Sequence, residues 1–553
     1  MKRSLIALSL AAVLFSTPVS ALAETVPELG ADFWSWRAAH QPASGDDIPR
    51  IVRPSNWAPD WSPASVARRY QQLEAYESRW KALENEPRSI EGETDYRLVG
   101  SALARVRWEL DHVAAWRRQP HFYVEQSLIP IFEALLPPPP VEADRIDTVL
   151  RLLNAVPAIL DAGQANLTDM RGPFVDAALG QIENVPASLR GMAEGLKPYA
   201  DRRRAARLDA AVERAIAAME AYGRAIAARK SGLPQETAVG RESYEFFLRQ
   251  VALYPYTPED LQIMGRQEWA RMVQFDTLER NRNRDLEPLT IRTPIDAVTS
   301  RLDADELKVR EFLETEGLLS VNNGTGHYNA QGFPAYLAPI GWLGRTFDLT
   351  DQHRLDENAT VYLPEPSPNL GYFNLSITRD PRPIIVHEGV PGHYFQLATS
   401  WAHPNPLRRQ YYDSGANEGT GFYAEEMMLQ AGLFDDARQS REIIYNFGRL
   451  RALRVEVDVK LALGEFTIAQ AADYLESMVP MDRHTAEEEA VFFAAAPGQA
   501  ISYQIGKLQT LEFLAEARVR KGDDFDIREF HNFLWLNGNV PIDLLKTEYF
   551  GRP

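Results

Sequence analysis

The segment PIIVHEGVPGHYFQLA, residues 383–398, places His387 directly before Glu388, with His393 six residues beyond the first histidine. Two neutral imidazoles can bind a divalent cation and an adjoining carboxylate can take a proton from water, so this trio suits metal-assisted hydrolysis. The spacing is unusual for that purpose. In the common HExxH arrangement the histidines lie four apart and share a helix face, whereas six apart they point about 120° away from each other on a regular helix. A bulge or loop must absorb the difference, and Gly389-Val390-Pro391-Gly392 suits one. Pro391 has no N–H for the His387 carbonyl four residues back, and the two glycines accept backbone angles that other residues resist. Taken alone, the segment also fits two ordinary histidines near a turn, with Glu388 on the surface.

A second segment weighs against that plainer reading. In SGANEGTGFYAEEMMLQAG, residues 414–432, Glu418 follows His393 by 25 residues on a helical pattern. Zinc sites of the His2Glu type take their third ligand from such a carboxylate and leave the fourth position to water. Glu425, seven residues on, lies about 20° further around the same helix, where it can accept from a ligand histidine as an outer partner. Asn417 and Glu426 rank behind it. The chain has no cysteine, which excludes thiolate ligands and thiol nucleophiles, and it has no G-x-S-x-G elbow for a serine nucleophile.

The elements around these motifs read as mainly helical. Val66, Tyr70, Leu73 and Tyr76 recur at spacings of three or four, as on one buried helix face. Residues 137–140 are four prolines, a rigid break, and residues 200–230 are rich in Ala, Arg and Glu, which predicts one long helix with a solvated charged face. Strand signals concentrate between about residues 334 and 378, in ATVYLPE and LGYFNLSIT, and predict a small sheet. Helical periodicity resumes near His387. Arg449, Arg451 and Arg454 fall on one such helix, where pairing with structural acids is expected, Asp458 serving Arg454. Gln499, Tyr503 and Lys507, spaced by four after a Pro-Gly start, are expected to share a helix face.

Acidic residues outnumber basic ones, 77 to 59, giving a formal charge of -18, which argues against nucleic acid or anionic lipid as the main partner. The first residues, MKRSLIALSLAAVLFSTPVSALAETV, combine Lys2 and Arg3, an apolar run and small residues at Ala21-Leu22-Ala23. That is the pattern of a signal peptide over 1–23, too short in its apolar part to span a bilayer, which needs about 20 residues. No later stretch reads as a membrane segment, so a periplasmic or extracellular location is expected. The remainder divides into an N-terminal helical region, 24–250, and a zinc-binding helical region, 251–553, expected to pack as one continuous fold.

HEGVPGH and EGTGFYAE resemble the HExxPGH and EGxxxYAE signatures of the bacterial domain-of-unknown-function family 885, as do RVEVD (454–458), PGQAISYQIG (497–506) and FHNFLWLNGNVPIDLL (530–545). That family is similar to gluzincin metallopeptidases such as thimet oligopeptidase and angiotensin-converting enzyme. The resemblance implies a helical, two-lobed cleft fold, one zinc per chain on His387, His393 and Glu418, Glu388 as general base, and Tyr503 as the phenol that supports an oxyanion. It implies a secreted peptidase acting on short peptides. A hydrolase of another amide or ester, or a catalytically silent periplasmic binding protein, are the alternatives. Two departures stand out: Lys460 and Ala462 replace a glycine and a histidine of the family pattern, and Phe492-Phe493 replaces its arginine-tyrosine pair. Recognition of a substrate carboxylate is therefore not carried over.

Overall fold

Four helices in the N-terminal half illustrate how composition becomes packing: Pro120–Leu135, Ala143–Asn166, Gly172–Leu196 and Arg202–Ala228 enclose one apolar core. The last of them buries Leu208, Val212, Ala215, Ile216 and Met219 on one side and starts at Asp201, whose carboxylate accepts the Arg204 N–H at 2.8 Å. The prolines at 137–140 separate the first two helices. Tyr336, Leu337, Ile340 and Tyr362 insert into the same core, so it draws on both sides of residue 250. The Pro63–Ala82 helix buries Val66, Leu73 and Tyr76, with Tyr70 half-buried. These coordinates are a computed structural model, which describes residues 24–44, 51–321 and 324–551; the segment expected to be a signal peptide lies outside them. Among the described residues no helix is long and apolar enough to cross a membrane.

The fold is mainly α with one small sheet. Its strands are β1 (Tyr328–Gly332), β2 (Phe347–Asp348) and β3 (Ala359–Leu363), in the order β1-β3-β2, with β1 parallel and β2 antiparallel to β3. Two sequence expectations need correction. β1 begins before the expected window, and LGYFNLSIT supplies a helix, Tyr372–Arg379, instead of a strand. Aromatic and β-branched residues favour strands through the half-buried surface they fit, and here a helix offers that surface: Tyr372 and Phe373 both pack on Phe447, centroids 5.5 and 5.6 Å away. β1 escapes detection because its YNAQG sequence is weakly strand-like. Its backbone is held from outside by the Ile295–Thr315 helix, where Asp303 accepts the Ala330 N–H at 2.8 Å.

Helices Ser414–Ala431 and Ser502–Lys521 cross with their backbones in contact. A Cβ on Gly506 would lie 2.0 Å from the Gly415 carbonyl oxygen, and one on Gly419 would lie 2.4 Å from the Gly506 Cα. No other residue fits there without separating the helices. Charge reinforces the crossing: the fully buried Lys507 reaches Glu426 at 2.6 Å and Glu268 at 3.3 Å, and Arg271 bridges the same two carboxylates, tying in the Pro258–Asn283 helix.

Gly506→Ala is expected to lower global stability by about 1–3 kcal/mol, the usual cost of forcing extra volume into a packed core. Gly180→Ala, at an exposed helical position with nothing near the added methyl, should instead stabilise slightly. Denaturant unfolding of both variants checks the contrast; an unchanged midpoint for Gly506→Ala would contradict the backbone contact.

Candidate metal centre

His387 lies in a π-helical turn, Ile385–Gly389, closed by the Val390 N–H on the Ile385 carbonyl at 2.9 Å. The backbone then extends at Val390 (φ -129°, ψ 124°), passes Pro391 and Gly392, and resumes as a helix at His393. Gly392 is required by contact: a Cβ there would sit 1.8 Å from the His387 carbonyl oxygen. Trp535 donates its indole N–H to the Pro391 carbonyl at 2.5 Å and pins the loop from the other side. The two imidazoles, which a continuous helix would turn apart, end with centroids 4.7 Å apart and planes at 75°.

Both rings converge on one oxygen. Glu418 Oε2 lies 3.3 Å from His387 Nε2 and 3.1 Å from His393 Nε2. Two donors each about 2.1 Å from a tetrahedral zinc are separated by about 3.4 Å, and the two distances from Glu418 to the imidazoles are close to that spacing. Glu388 Oε2 stands 3.8 Å from His393 Nε2, and ligand atoms of His387, Glu388 and His393 all fall within 4.8 Å of one another. Of the two carboxylates, Glu418 is the one that approaches both imidazoles. Glu388 differs in access: its side chain is 15% exposed, against 1% for Glu418 and His393 and 3% for His387. Its Oε2 is buried and has no hydrogen-bond partner among the described residues, which leaves a carboxylate oxygen available for chemistry.

The electrostatics favour positive charge here. Burial and Arg451 push His387 down, but Glu418 and Glu425 prevail and lift it to about 9. Burial would raise Glu418, yet His393 and His387 hold its carboxyl well below the usual range. Glu425 Oε1 lies 2.6 Å from His387 Nδ1, which leaves Nε2 free to face Glu418. Beneath the rings, Gly421 packs closely: a Cβ there would come within 3.2 Å of His393 and 3.3 Å of His387, tighter than ordinary contact.

Tyr503 stacks on His387, centroids 6.2 Å apart and planes at 11°. The guanidinium of Arg454 covers the Tyr503 ring at 4.8 Å and forks onto Glu489 at 2.6 and 2.7 Å, so Glu489, and not Asp458, is its partner. Asp458 is fully buried and instead accepts the Tyr244 hydroxyl at 2.7 Å and the N–H groups of Gly498 and Ala500 at 2.9 and 3.0 Å. It thereby fixes the turn that leads into the Tyr503 helix. That helix begins at Ser502, so Gln499 lies in the turn, hydrogen-bonded to Ser414, off the face expected to join it with Tyr503 and Lys507. Tyr328, on β1, was not singled out from the sequence. Its ring lies against Gly389, its buried hydroxyl has no partner among the described residues, and burial together with the Glu388 charge raises its pKa well above the usual value. Only the fold brings it here.

The fold and site define a mainly helical protein with a buried His–Glu cluster assembled across a broken helix. The chain belongs to the bacterial family of proteins of unknown function DUF885, which matches residues 50–306 and 378–548 and so spans all the site residues suggested by the motifs. No curated protein matches significantly. Two solved structures are similar over almost their whole length. One is a candidate lipoprotein of unknown function from Shewanella oneidensis, with TM-score 0.71 and 17% identity, covering 96% of this chain and 100% of that one. The other is a candidate lipoprotein from Colwellia psychrerythraea, with TM-score 0.73 and 17% identity, covering 94% and 97%. At such identity the likeness is one of fold.

Glu418→Ala is expected to bring bound zinc well below stoichiometric in protein purified without chelators. Elemental analysis beside the wild type checks this, and an unchanged zinc content would remove Glu418 from the ligand set.

Proposed function

We propose that this protein is a zinc-dependent peptidase of the gluzincin type, with His387, His393 and Glu418 as ligands and short peptides as substrates. One observation carries the reading: beside two imidazoles that converge on Glu418 Oε2 stands a further carboxylate, that of Glu388, less buried than the other three side chains and with no hydrogen-bond partner for its Oε2 among the described residues. A binding protein has no need of that carboxylate. Zinc, when bound, supplies Lewis acidity that polarises a carbonyl and acidifies water.

The chain's own groups account for the rest. Glu388 Oε2 takes the proton of the attacking water and returns it to the leaving amine, so the carboxylate is regenerated in each turnover. Tyr503, held between His387 and Arg454, donates its hydroxyl to the oxyanion that forms as the carbonyl is attacked. The near-complete burial of the ligands excludes bulk water and strengthens both interactions.

An envelope location accords with the signal-peptide pattern of residues 1–23 and with the description of the two similar structures as candidate lipoproteins. A cysteine-linked lipid is not part of the proposal, since the sequence contains no cysteine to carry it.

The test is a peptide library assayed with zinc-loaded wild type, Glu388→Gln and Tyr503→Phe. Glu388→Gln should lose about 10²–10⁴-fold in turnover with zinc retained, and Tyr503→Phe about 10²–10³-fold. Cleavage by Glu388→Gln at the wild-type rate would overturn the mechanism. Absence of zinc from the wild type together with no cleavage of any peptide would overturn the enzyme.

A further inference from the structure

Arg451 is a buried cation that the chemistry above leaves unused. It lies on the Arg438–Leu463 helix and is 5% exposed. Its Nη1 donates to Glu425 Oε2 at 3.1 Å, and its Nη2 lies 2.9 Å from Glu425 Oε1 and 3.4 Å from His387 Nδ1. That same Oε1 is the atom 2.6 Å from His387 Nδ1. Three aromatic faces enclose the guanidinium, those of Phe422, Phe447 and Tyr503, at 5.0, 5.4 and 5.6 Å.

The neighbouring arginines show what an ordinary structural pair looks like here. Arg449 joins Asp276, and Arg454 joins Glu489, and neither of those carboxylates touches an imidazole. The acid partner of Arg451 is instead shared with a candidate ligand. A planar guanidinium presents its N–H groups in fixed relation, here Nη1 to the Glu425 carboxylate and Nη2 beside His387 Nδ1, so it fixes where that carboxylate stands against the imidazole. A lysine ammonium can supply the charge but not that constraint. With Glu425 Oε2 held by Arg451, Oε1 lies against His387 Nδ1, and Nε2 is left facing Glu418.

We infer that Arg451 is a positioning residue of the metal centre, acting through Glu425 to hold the His387 ring in its ligating orientation. The inference rests on the zinc reading above. It also makes one side chain the common support of a ligand and of Tyr503, because the guanidinium packs on both Glu425 and the Tyr503 ring.

The experiment measures zinc affinity of refilled apoprotein by competition with a chelator, and the cobalt(II) absorption bands of the cobalt-substituted protein. Wild type, Arg451→Lys, Arg451→Met, Glu425→Gln, the double variant Arg451→Lys/Glu425→Gln and the control Arg449→Met are compared. Arg451→Lys is expected to bind zinc about 10–100-fold more weakly, the usual consequence of losing an outer partner, and to shift the cobalt bands. Arg449→Met should match the wild type in both. Because the effect passes through Glu425, the double variant should bind no more weakly than Glu425→Gln alone. Should Arg451→Met fail to fold, Arg451→Lys decides. Wild-type affinity and an unchanged cobalt spectrum in Arg451→Lys would overturn the positioning role, as would additive losses in the double variant. A wild type that takes up no zinc would instead overturn the metal centre itself, and this inference with it.

Discussion

Two imidazoles six residues apart must face one carboxylate, and a regular helix cannot arrange this. The resolution is local and steric: the chain leaves the helix after Gly389 and re-enters at His393, with Gly392 lying where any side chain would collide with the His387 carbonyl. Once that break exists, its surroundings become constrained in turn. Tyr328 occupies the space over Gly389, Trp535 satisfies the Pro391 carbonyl, and Gly421 opens the floor below both rings. Each of these residues comes from a different element, so the break is a meeting point of β1, the C-terminal helices and the Glu418 helix.

The second requirement is that Glu418 arrive at the correct depth. Its helix is fixed along its length by backbone contact at Gly415 and Gly419 against Gly506, and laterally by the buried Lys507–Glu426–Arg271–Glu268 network. Such a network is costly to desolvate and is a poor source of raw stability, but pairing of buried charges permits few alternative registers between the three helices. Register is what the site needs. A slip of one residue along the Ser414–Ala431 helix would rotate Glu418 away from the imidazoles by about 100°.

What could be read from the sequence was which side chains in contiguous motifs would cluster. His387, Glu388 and His393 announce themselves by type, Glu418 and Glu425 by helical spacing, and the glycines between the histidines by the geometric problem they solve. Arg451 and Tyr328 could not be separated from their neighbours in this way. Arg449, Arg451 and Arg454 look alike in local pattern, and which of them meets Glu425 depends on the rotation of their helix. That rotation follows from close contacts with the Pro258–Asn283 helix, at Gly265 against Val455 and at Gly448 against Met272. Tyr328 reaches the site only through the parallel pairing of β1 with β3, a contact between segments remote in sequence. The mistaken strand at residues 372–379 has the same origin, since its aromatic residues report burial without reporting what buries them.

Charge balance ties these parts together. Glu388, Glu418 and Glu425 place three carboxylates around the two imidazoles, and Arg451 is the one guanidinium in direct contact with them among the described residues. With neutral histidines, the cluster therefore carries two net negative charges in a largely dry environment. An uncompensated charge at such burial is expensive, and a protein ordinarily avoids it by pairing or by shifting a pKa. The raised pKa of His387, lifted by Glu418 and Glu425 against burial and Arg451, is in line with that rule. A divalent cation held by His387, His393 and Glu418 would supply the missing compensation without protonating an imidazole, and would leave Glu388 as the carboxylate not committed to a ligand or to an arginine. On that proposal, the same electrostatics cover both Glu425, matched with a guanidinium, and Glu388, which has none among the described residues.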